Sequence, residues 1–340
     1  MSAKESISLT KKDFATDQIV RWCPGCGDYA ILAQVQALLP ELGRPPEQYA
    51  FVSGIGCAAR FPYYMNTYGF HTIHGRAPAI ATGLKASNPE LSVWVVTGDG
   101  DALSIGGNHL IHAMRRNVDL KLLLFDNRVY GLTKGQYSPT SRVGQKSPST
   151  PFGSIDNPLE PVSIVLAAEA TFVARTVDRD LKHMKEIIRR AAEHRGIAFV
   201  HILQNCPVFF DGVFKNVTDK EVRDDNVLYL EHGQPMVYGK NRDKGLRLRG
   251  GLIEVVELGN GVSEADLLVH DENMEDTSIA FALSRLDETK NFPVPLGVFR
   301  TVKHPTFEER LHDQVAMARE QLGPGSIESL LKAGDTWEVS

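Results

Sequence analysis

The stretch "LSVWVVTGDG", residues 91–100, is a run of mainly apolar residues that ends in a Gly-Asp-Gly turn. A near-continuous apolar run of this length is typical of a strand buried on both faces of a parallel sheet. Gly98 and Gly100 permit a tight turn and a close approach of the backbone to a ligand. The helix predicted to follow, over 102–117, would present free backbone N–H groups to a phosphate. The stretch therefore predicts a ligand site where one strand of a parallel sheet ends.

The sequence on either side of this stretch alternates strands and helices up to residue 206. Short apolar runs predict further buried strands, and apolar residues at helical spacing predict the helices between them. These patterns indicate an α/β fold in which helices cover both faces of a parallel sheet. The predicted strands are 49–54, 120–127 and 197–206, and the predicted helices are 28–42, with Asp28 as its N-cap, 77–88, 102–117 and 180–196.

The pattern weakens after residue 206, where the sequence becomes polar and rich in turns. One clear helix is predicted over 276–286, and one edge strand over 292–302. The apolar runs are too few for a second independent core. We therefore expect a cofactor-binding domain at 1–206 and an irregular extension at 207–340, which packs on that domain or on a partner subunit.

The composition excludes several classes of protein. The chain has 340 residues, of which 42% are hydrophobic and 23% charged, and its net charge is -5. These values are ordinary for a globular protein, and no basic tract points to nucleic acid. No apolar run approaches the about 18 residues of a membrane-spanning helix, and the N-terminus lacks the apolar segment of a signal peptide. We expect a cytoplasmic protein, whose four cysteines stay reduced.

Several polar or reactive residues follow the predicted strands directly. Asp99 and Asn127 come after two successive strands, and Cys57 and Cys206 follow two others. The carboxyl ends of parallel strands lie at one edge of a sheet, so these residues are expected to converge there. Asp99 and Asn127 would present oxygen atoms from adjacent strand ends, and Mg²⁺ prefers oxygen ligands and commonly links a protein to a diphosphate.

Two of the four cysteines lie in "RWCPGCGDY", residues 21–29. The Cys23–Cys26 spacing suits a redox disulfide, a structural zinc site or an iron–sulfur cluster. A structural zinc site usually draws on two close pairs of cysteines, whereas this chain has one pair and two single residues. Four thiolates match the ligand number of a [4Fe-4S] cluster.

The sequence resembles a known enzyme family in five motifs that occur in the same order. A Gly-Asp-Gly followed by an asparagine some 25–30 residues later is the signature of thiamine diphosphate enzymes. Beyond this signature, the chain resembles the β subunits of 2-oxoacid:ferredoxin oxidoreductases. The motifs are "WCPGCG", "SGIGC", "HGRA", "GDGD" and "DNRVYGLTKGQ"; the matches run across residues 22–140, and Cys206 extends the similarity to about residue 210. The resemblance implies the thiamine-diphosphate-binding fold, with thiamine diphosphate, Mg²⁺ and one [4Fe-4S] cluster as cofactors.

The resemblance also implies roles for individual residues. Mg²⁺ would be held by Asp99, Asn127 and the backbone carbonyl of Val129. The diphosphate would lie near His74, Gly100 and Asp101. The remaining cofactor contacts would come from Ile55, Gly56, Cys57, Ala58, Gly131 and Leu132. The cluster ligands would be Cys23, Cys26, Cys57 and Cys206.

The reaction implied is the oxidative decarboxylation of a 2-oxoacid, with transfer of the acyl group to coenzyme A and of electrons to ferredoxin. The segment around "GIGCAARFPYYMNTYGFHTIHGRAPAIATGLK" is more similar to 2-oxoglutarate members of the family than to pyruvate members. Arg60 is a candidate partner for the second carboxylate of 2-oxoglutarate. The carboxylate that activates thiamine is expected from an α subunit in an (αβ)n complex.

Four alternatives stay open at this point. The first alternative is that the substrate is pyruvate or a branched-chain 2-oxoacid. The second is that the chain is a non-redox thiamine enzyme with structural zinc, and the third is that it is a non-catalytic electron-transfer subunit. The fourth alternative concerns the basic segment 239–250, which either attracts acidic ferredoxin or a coenzyme A phosphate, or is a solvated loop.

Overall fold

A central sheet of eight strands organises the chain. A computed structural model describes residues 9–286 and 291–339. Its described strands, including those outside the central sheet, are β1 (Tyr49–Ser53), β2 (Tyr68–His71), β3 (Ser92–Gly98), β4 (Leu120–Asp126), β5 (Val129–Tyr130), β6 (Gln136–Tyr137), β7 (Phe172–Val177), β8 (Ala198–Leu203), β9 (Val227–Leu230), β10 (Val237–Tyr238), β11 (Lys244–Arg249), β12 (Leu252–Glu257) and β13 (Val294–Thr301). The strand order of the central sheet is β2-β1-β3-β4-β8-β7-β13-β9.

Helices cover both faces of this sheet, as the sequence predicts. The described helices are α1 (Asp28–Leu38), α2 (Ala77–Ser87), α3 (Asp99–Leu103), α4 (Gly107–Arg116), α5 (Pro161–Ala167), α6 (Leu181–Glu193), α7 (Lys215–Thr218), α8 (Arg223–Asn226), α9 (Ser278–Ser284), α10 (Phe307–Leu322) and α11 (Ile327–Leu331). Apolar residues of α2, α4, α5 and α9 pack in one buried cluster, and those of α1 and α6 pack in another. Successive strand residues contribute to opposite clusters because side chains alternate along a strand.

The register of the parallel strands determines where the site lies. Gly98 at the end of β3 pairs with Phe125 near the end of β4. Asp99 and Asn127 therefore follow the carboxyl ends of adjacent strands. From β1 the chain continues to β2 on one side of the sheet, and from β3 it continues to β4 on the other side. The direction in which strands are added therefore reverses between the neighbouring strands β1 and β3. Ligands of open α/β sheets bind at such a reversal point.

The structure corrects two predictions near the motifs. Asp28 is the first residue of α1 rather than its N-cap, which is Gly27. The Gly-Asp-Gly segment is also not a simple turn, because Asp99 begins the short helix α3 with Gly98 as its N-cap. The next helix consequently starts at Gly107 instead of residue 102. Residues 104–106 separate the two helices: Ser104 is the C-cap of α3, and Gly106 is the N-cap of α4.

The strand predicted at 292–302 is present, but it does not lie at the edge of the sheet. β13 pairs antiparallel with β7 on one side and parallel with β9 on the other. The edge strand is β9, a short buried "VLYL" run inside the polar segment that follows residue 206. Residues 207–340 thus contribute two strands, β9 and β13, to the central sheet. Among the described helices, none combines the length and apolarity that crossing a membrane requires.

Candidate active site

One cavity of about 100 Å³ at the carboxyl ends of β1, β3 and β4 brings most of the predicted site residues together. Loops that follow four strands supply its walls. The predicted residues that line it are Ile55, Gly56, Cys57, Ala58, His74, Asp99, Gly100, Asp101, Asn127, Val129, Gly131 and Leu132. Asp28, Tyr130 and Thr133 also line it, although the sequence patterns did not indicate them.

Asp101 organises the walls of this cavity. Its buried carboxylate accepts hydrogen bonds from the backbone N–H of Ile55 (3.1 Å), the backbone N–H of Gly75 (2.7 Å) and the hydroxyl of Thr97 (2.6 Å). It also contacts Nδ1 of His74 at 2.5 Å. Because protein groups occupy this carboxylate so fully, Asp101 positions the loops and the His74 ring. The Nε2 atom of His74 is the ring nitrogen left for a ligand.

Gly54 allows this arrangement. A Cβ atom at this position would lie 1.8 Å from Oδ2 of Asp101, a distance that no side chain tolerates. The small residue therefore lets the loop after β1 approach the carboxylate directly.

Asp99 and Asn127 both line the cavity, and their side chains carry oxygen atoms of the kind that magnesium binds. Asn127 donates from Nδ2 to Oε1 of Gln204 at 2.9 Å, which orients its Oδ1 atom. Asp99 is 3% exposed, and its Oδ2 atom contacts the hydroxyls of Ser138 (2.5 Å) and Thr140 (2.7 Å). Burial, followed by the nearby Asp126 carboxylate, raises the pKa of Asp99 to about 7.

Thr140 shows why a cation fits this site. Its single hydroxyl proton faces two buried carboxylates, Asp99 at 2.7 Å and Asp126 at 2.8 Å. One hydroxyl proton can be donated fully to only one of them, so two buried carboxylates share a single donor at this point. A divalent ion bound to Asp99 would supply the missing positive charge.

Backbone and side-chain hydrogen bonds hold the cysteine-bearing segments together. The indole N–H of Trp22 donates to the carbonyl of Cys57 at 2.7 Å. The backbone N–H of Gly27 donates to the carbonyl of Asn205 at 3.2 Å. The segment around Cys23 and Cys26 is thus attached both to the loop of Cys57 and to the loop of Cys206.

Two of the four thiols, those of Cys57 and Cys206, lie beside Gly131. A Cβ atom at Gly131 would lie 3.4 Å from Sγ of Cys57 and 3.9 Å from Sγ of Cys206. Gln204 donates from Nε2 to Sγ of Cys26 at 3.2 Å. Burial and the neighbouring Asp28 carboxylate raise the pKa of the Cys26 thiol, and the same two causes raise that of Cys57 to about 12.

All four cysteines are free thiols, and Cys23 is exposed whereas Cys206 is buried. Bound iron would compensate the charge of thiolates that burial otherwise disfavours. In the described part of the chain, no three His, Cys, Asp or Glu side chains are grouped as ligands of one metal ion.

Arg60 lies outside the cavity described above. It lines a separate open pocket of about 490 Å³ together with Arg21, Tyr63 and Tyr64. Its backbone N–H donates to the carbonyl of Cys57 at 3.2 Å, which places this pocket next to the Cys57 turn. The structure thus does not bring Arg60 among the residues that would surround thiamine, and its contact with a substrate carboxylate stays a prediction.

The basic segment 239–250 is partly neutralised by acidic neighbours. Arg247 forms an ion pair with Glu254 at 2.6 Å, and Lys244 lies 3.7 Å from Asp225. Half of this segment forms β11, which lies between β10 and β12 in a small three-stranded sheet. These pairs favour a solvated surface over an anion site.

Comparisons with known proteins agree with this geometry. Residues 54–202 match the model of the family "Thiamine pyrophosphate enzyme, C-terminal TPP binding domain". The chain is 53% identical to the 2-oxoglutarate oxidoreductase subunit KorB of Mycobacterium tuberculosis, over 96% of this chain and 88% of that protein. The chain belongs to the family of 2-oxoacid:ferredoxin oxidoreductase β subunits.

Two further relatives of this β subunit support the assignment. The 2-oxoacid:ferredoxin oxidoreductase subunit beta of Saccharolobus solfataricus is 46% identical over 59% of this chain and 67% of its own length. A solved structure of 2-oxoglutarate:ferredoxin oxidoreductase from Magnetococcus marinus, with 2-oxoglutarate, coenzyme A and succinyl-CoA bound, is 33% identical, with a TM-score of 0.75. The match covers 97% of each chain, so the β subunit resembles that chain through its C-terminal extension as well.

Proposed function

We propose that this β subunit acts with an α subunit in the oxidative decarboxylation of 2-oxoglutarate to succinyl-CoA and CO₂, or in the reverse reductive carboxylation. The observation that carries the proposal is the single cavity in which the predicted cofactor residues converge. The identity to the mycobacterial 2-oxoglutarate oxidoreductase subunit and the likeness to the 2-oxoglutarate:ferredoxin oxidoreductase structure support the choice of substrate. Pyruvate and branched-chain 2-oxoacids are the alternative substrates.

We propose that the chain binds the diphosphate end of thiamine diphosphate through Mg²⁺. Asp99, Asn127 and the carbonyl of Val129 would hold the ion, and Nε2 of His74 would contact the diphosphate. When bound, thiamine diphosphate supplies the electron sink that decarboxylation of a 2-oxoacid requires. Gln204 orients Asn127, and Asp101 orients His74, so both ligand atoms are positioned before the cofactor arrives.

A [4Fe-4S] cluster on Cys23, Cys26, Cys57 and Cys206 is proposed as the electron acceptor. When bound, it supplies one-electron transfer to ferredoxin. Cys57 lines the cavity proposed for thiamine, whereas Cys23 is exposed at the surface. One proposed ligand would thus lie beside the cofactor, and another would lie where a soluble carrier can approach.

An α subunit is required because the residues of the cavity already have other tasks. Asp99 and Asp101 serve the proposed ion and the loops, and Asp28 lies beside Cys26. The C-terminal extension offers a surface for such a partner. From residue 310 to 339 no described residue is buried, and Leu322, Ile327 and Trp337 are more than three-quarters exposed.

The proposal is tested by assaying the anaerobically purified αβ complex with several 2-oxoacids. We expect coenzyme A-dependent reduction of ferredoxin, with the highest kcat/KM for 2-oxoglutarate. A higher kcat/KM for pyruvate or 2-oxoisovalerate would show that this 2-oxoacid, and not 2-oxoglutarate, is the substrate. The absence of ferredoxin reduction with every 2-oxoacid would refute the proposed reaction. A colourless protein with stoichiometric zinc would refute the cluster.

A further inference from the structure

A second and larger cavity lies beyond the carboxyl ends of β4, β7 and β8. Its volume is about 410 Å³, within the range of small-molecule sites, whereas the cavity of the candidate active site has about 100 Å³. Phe125 lines the active-site cavity, and the next residue, Asp126, lines the second one. The two cavities therefore lie on opposite faces of β4, because successive side chains of a strand point to opposite faces.

Arginine side chains dominate the charge of this second cavity, which we name the arginine cavity. Its described lining contains four arginines and two carboxylates, namely Arg128, Arg142, Arg175, Arg285, Asp126 and Glu160. Arg142 already has an interaction partner within the chain, and the formal charge of the other five groups is +1. Both carboxylates already accept hydrogen bonds from protein groups: Glu160 from Arg175 and Asp126 from His201. Guanidinium groups match phosphate and carboxylate oxygens in a planar, bidentate manner.

A buried chain of hydrogen bonds fixes the wall of the arginine cavity. Arg175, which is 4% exposed, binds Glu160 through Nη2 and donates from Nε to Nδ1 of His201 at 3.1 Å. His201, which is 2% exposed, therefore carries its proton on Nε2 and donates it to Asp126 at 2.8 Å. The guanidinium of Arg175 also lies over the ring of Phe299. The position of this arginine is thus set by the protein before any ligand binds.

Arg128 adopts a backbone conformation that sends its side chain to the same cavity. Its φ is 56°, a left-handed value that is uncommon for a residue with a side chain. Its carbonyl accepts hydrogen bonds from Ser141 (2.7 Å) and Gln145 (2.8 Å), which hold this conformation. The guanidinium stacks over Phe214 at 4.6 Å. Because of this turn, Arg128 lines the arginine cavity while its neighbour Asn127 lines the active-site cavity.

One hydroxyl connects the two cavities. Thr140 contacts Oδ1 of Asp126, which lines the arginine cavity, and Oδ2 of Asp99 in the proposed magnesium site. A charge brought next to Asp126 therefore acts on Asp99 through a single side chain.

We propose that the arginine cavity binds a small multivalent anion with phosphate or carboxylate groups, and that this binding changes the affinity of the chain for thiamine diphosphate. The cavity supplies excess positive charge, preformed guanidinium groups and adequate volume. Thr140 supplies the connection to Asp99. By thermodynamic linkage, bound thiamine diphosphate changes the affinity for the anion by the same factor.

The binding claim is tested by titration calorimetry on the αβ complex, with citrate and sulfate as separate probes at constant ionic strength. We expect one saturable site per chain, with a Kd below about 1 mM for at least one probe. The Arg142→Gln/Arg285→Gln double variant should weaken binding at least about tenfold. Arg319→Gln, on α10, is the matched control and should bind as the wild type does. Tighter binding of sulfate would indicate a phosphate ligand, and tighter binding of citrate a carboxylate ligand.

Two results would overturn the site: no saturable binding of either probe to the wild-type complex, or unchanged binding in the double variant. The coupling is tested by measuring the Kd of thiamine diphosphate with and without the bound probe. We expect a change of several fold in the wild type and in Thr140→Ser, and none in Thr140→Val, which lacks the hydroxyl. Equal thiamine diphosphate affinity in the wild type with and without the anion would overturn the coupling.

Discussion

At the scale of the residue, the surroundings of Asp99 favour a bound cation. It is buried, it lies near Asp126, and it shares one hydroxyl proton with that residue. A divalent ion bound to one of the carboxylates would offset the repulsion between the two negative charges. The same geometry makes the loss of Asp99 specific, because Ser138 and Thr140 can still donate hydrogen bonds to other acceptors.

The first prediction follows from this dependence. Asp99→Ala should weaken thiamine diphosphate binding by at least about 100-fold, since even partners of metal ligands contribute about 10- to 100-fold. Calorimetry with thiamine diphosphate and Mg²⁺ on the αβ complex measures the effect. Asp156→Ala, which removes a carboxylate bound to Tyr137 at the surface, is the control and should bind normally. Unchanged affinity in Asp99→Ala would remove this residue from the magnesium site.

The second prediction concerns the cysteines. Replacing Cys23, Cys26, Cys57 or Cys206 singly by serine should lower the iron content and stop electron transfer to ferredoxin, because the chain has only four cysteines. Iron analysis and the absorbance near 400 nm of anaerobically purified variants measure this loss. If a single variant retains full iron content and full ferredoxin reduction, the cysteine replaced in it is not a cluster ligand.

The third prediction tests Arg60. If its guanidinium binds the distal carboxylate of 2-oxoglutarate, Arg60→Ala should cost about 2 to 5 kcal/mol of transition-state binding, as for a truncated buried charge pair. The kcat/KM for 2-oxoglutarate would fall about 30-fold or more, and that for pyruvate much less. Arg21→Ala, which removes the other arginine of the same pocket, is the control for a general charge effect. Equal losses on both substrates would assign Arg60 to the subunit interface or to a phosphate.

At the scale of the element, the end of α6 contains a group that makes stability depend on pH. Burial, followed by the charge of Lys121, lowers the pKa of His194 to about 4. Its Nε2 atom lies 2.8 Å from the hydroxyl of Thr171, just before β7. The folded chain thus holds this histidine neutral at pH values where the unfolded chain protonates it.

The fourth prediction follows from the sign of this shift. As the pH falls from about 6.5 towards 4, the unfolded state binds a proton that the folded state excludes, so the free energy of unfolding decreases. Between pH 7 and pH 5 the wild type should lose about 2 kcal/mol more than His194→Gln. Urea unfolding of the purified chain at both pH values measures the difference. His112→Gln, at an exposed position of α4, should retain the full pH dependence of the wild type.

The elements that the sequence predicted are those with uninterrupted patterns. β1, β3, β4 and β8 are continuous apolar runs, and their ends placed Asp99, Asn127 and Cys57 correctly at one edge of the sheet. The sequence did not reveal β9, because its four residues lie inside a polar segment and become buried only when β13 pairs with them. The position of β13 inside the sheet follows from this distant pairing, which no local pattern contains.

The supporting residues of the site were missed for a related reason. Ser138 and Thr140 lie in a loop without periodicity, and they reach Asp99 only because β5 and β6 form a short hairpin. Arg175 and His201 are buried polar residues within the strands "FVARTV" and "AFVHIL". A charged or polar residue inside an apolar strand is itself a signal, since burial without a partner is costly. The sequence alone did not identify which partner each of them has.

At the scale of the whole molecule, the chain presents a cofactor site whose carboxylates are already engaged. The fifth prediction is that the purified β subunit alone does not decarboxylate 2-oxoglutarate at a useful rate, even with thiamine diphosphate and Mg²⁺ present. Release of ¹⁴CO₂ from labelled substrate measures this, and addition of the α subunit should restore it. Substantial release by a preparation free of α subunit would show that a carboxylate of this chain, such as Asp28, activates thiamine.

The place of β13 between β7 and β9 has a consequence for biosynthesis. Every residue proposed to bind thiamine diphosphate, magnesium or iron has been translated once Cys206 leaves the ribosome. The sheet that carries them still lacks two strands, and the free side of β7 remains an unpaired edge open to other chains. At translation rates of about 5–20 residues per second, the 95 residues from Cys206 to Thr301 take about 5–20 s to synthesise. The nascent chain therefore passes through an interval in which its cofactor ligands exist without a completed sheet, and this interval is when a chaperone would protect it.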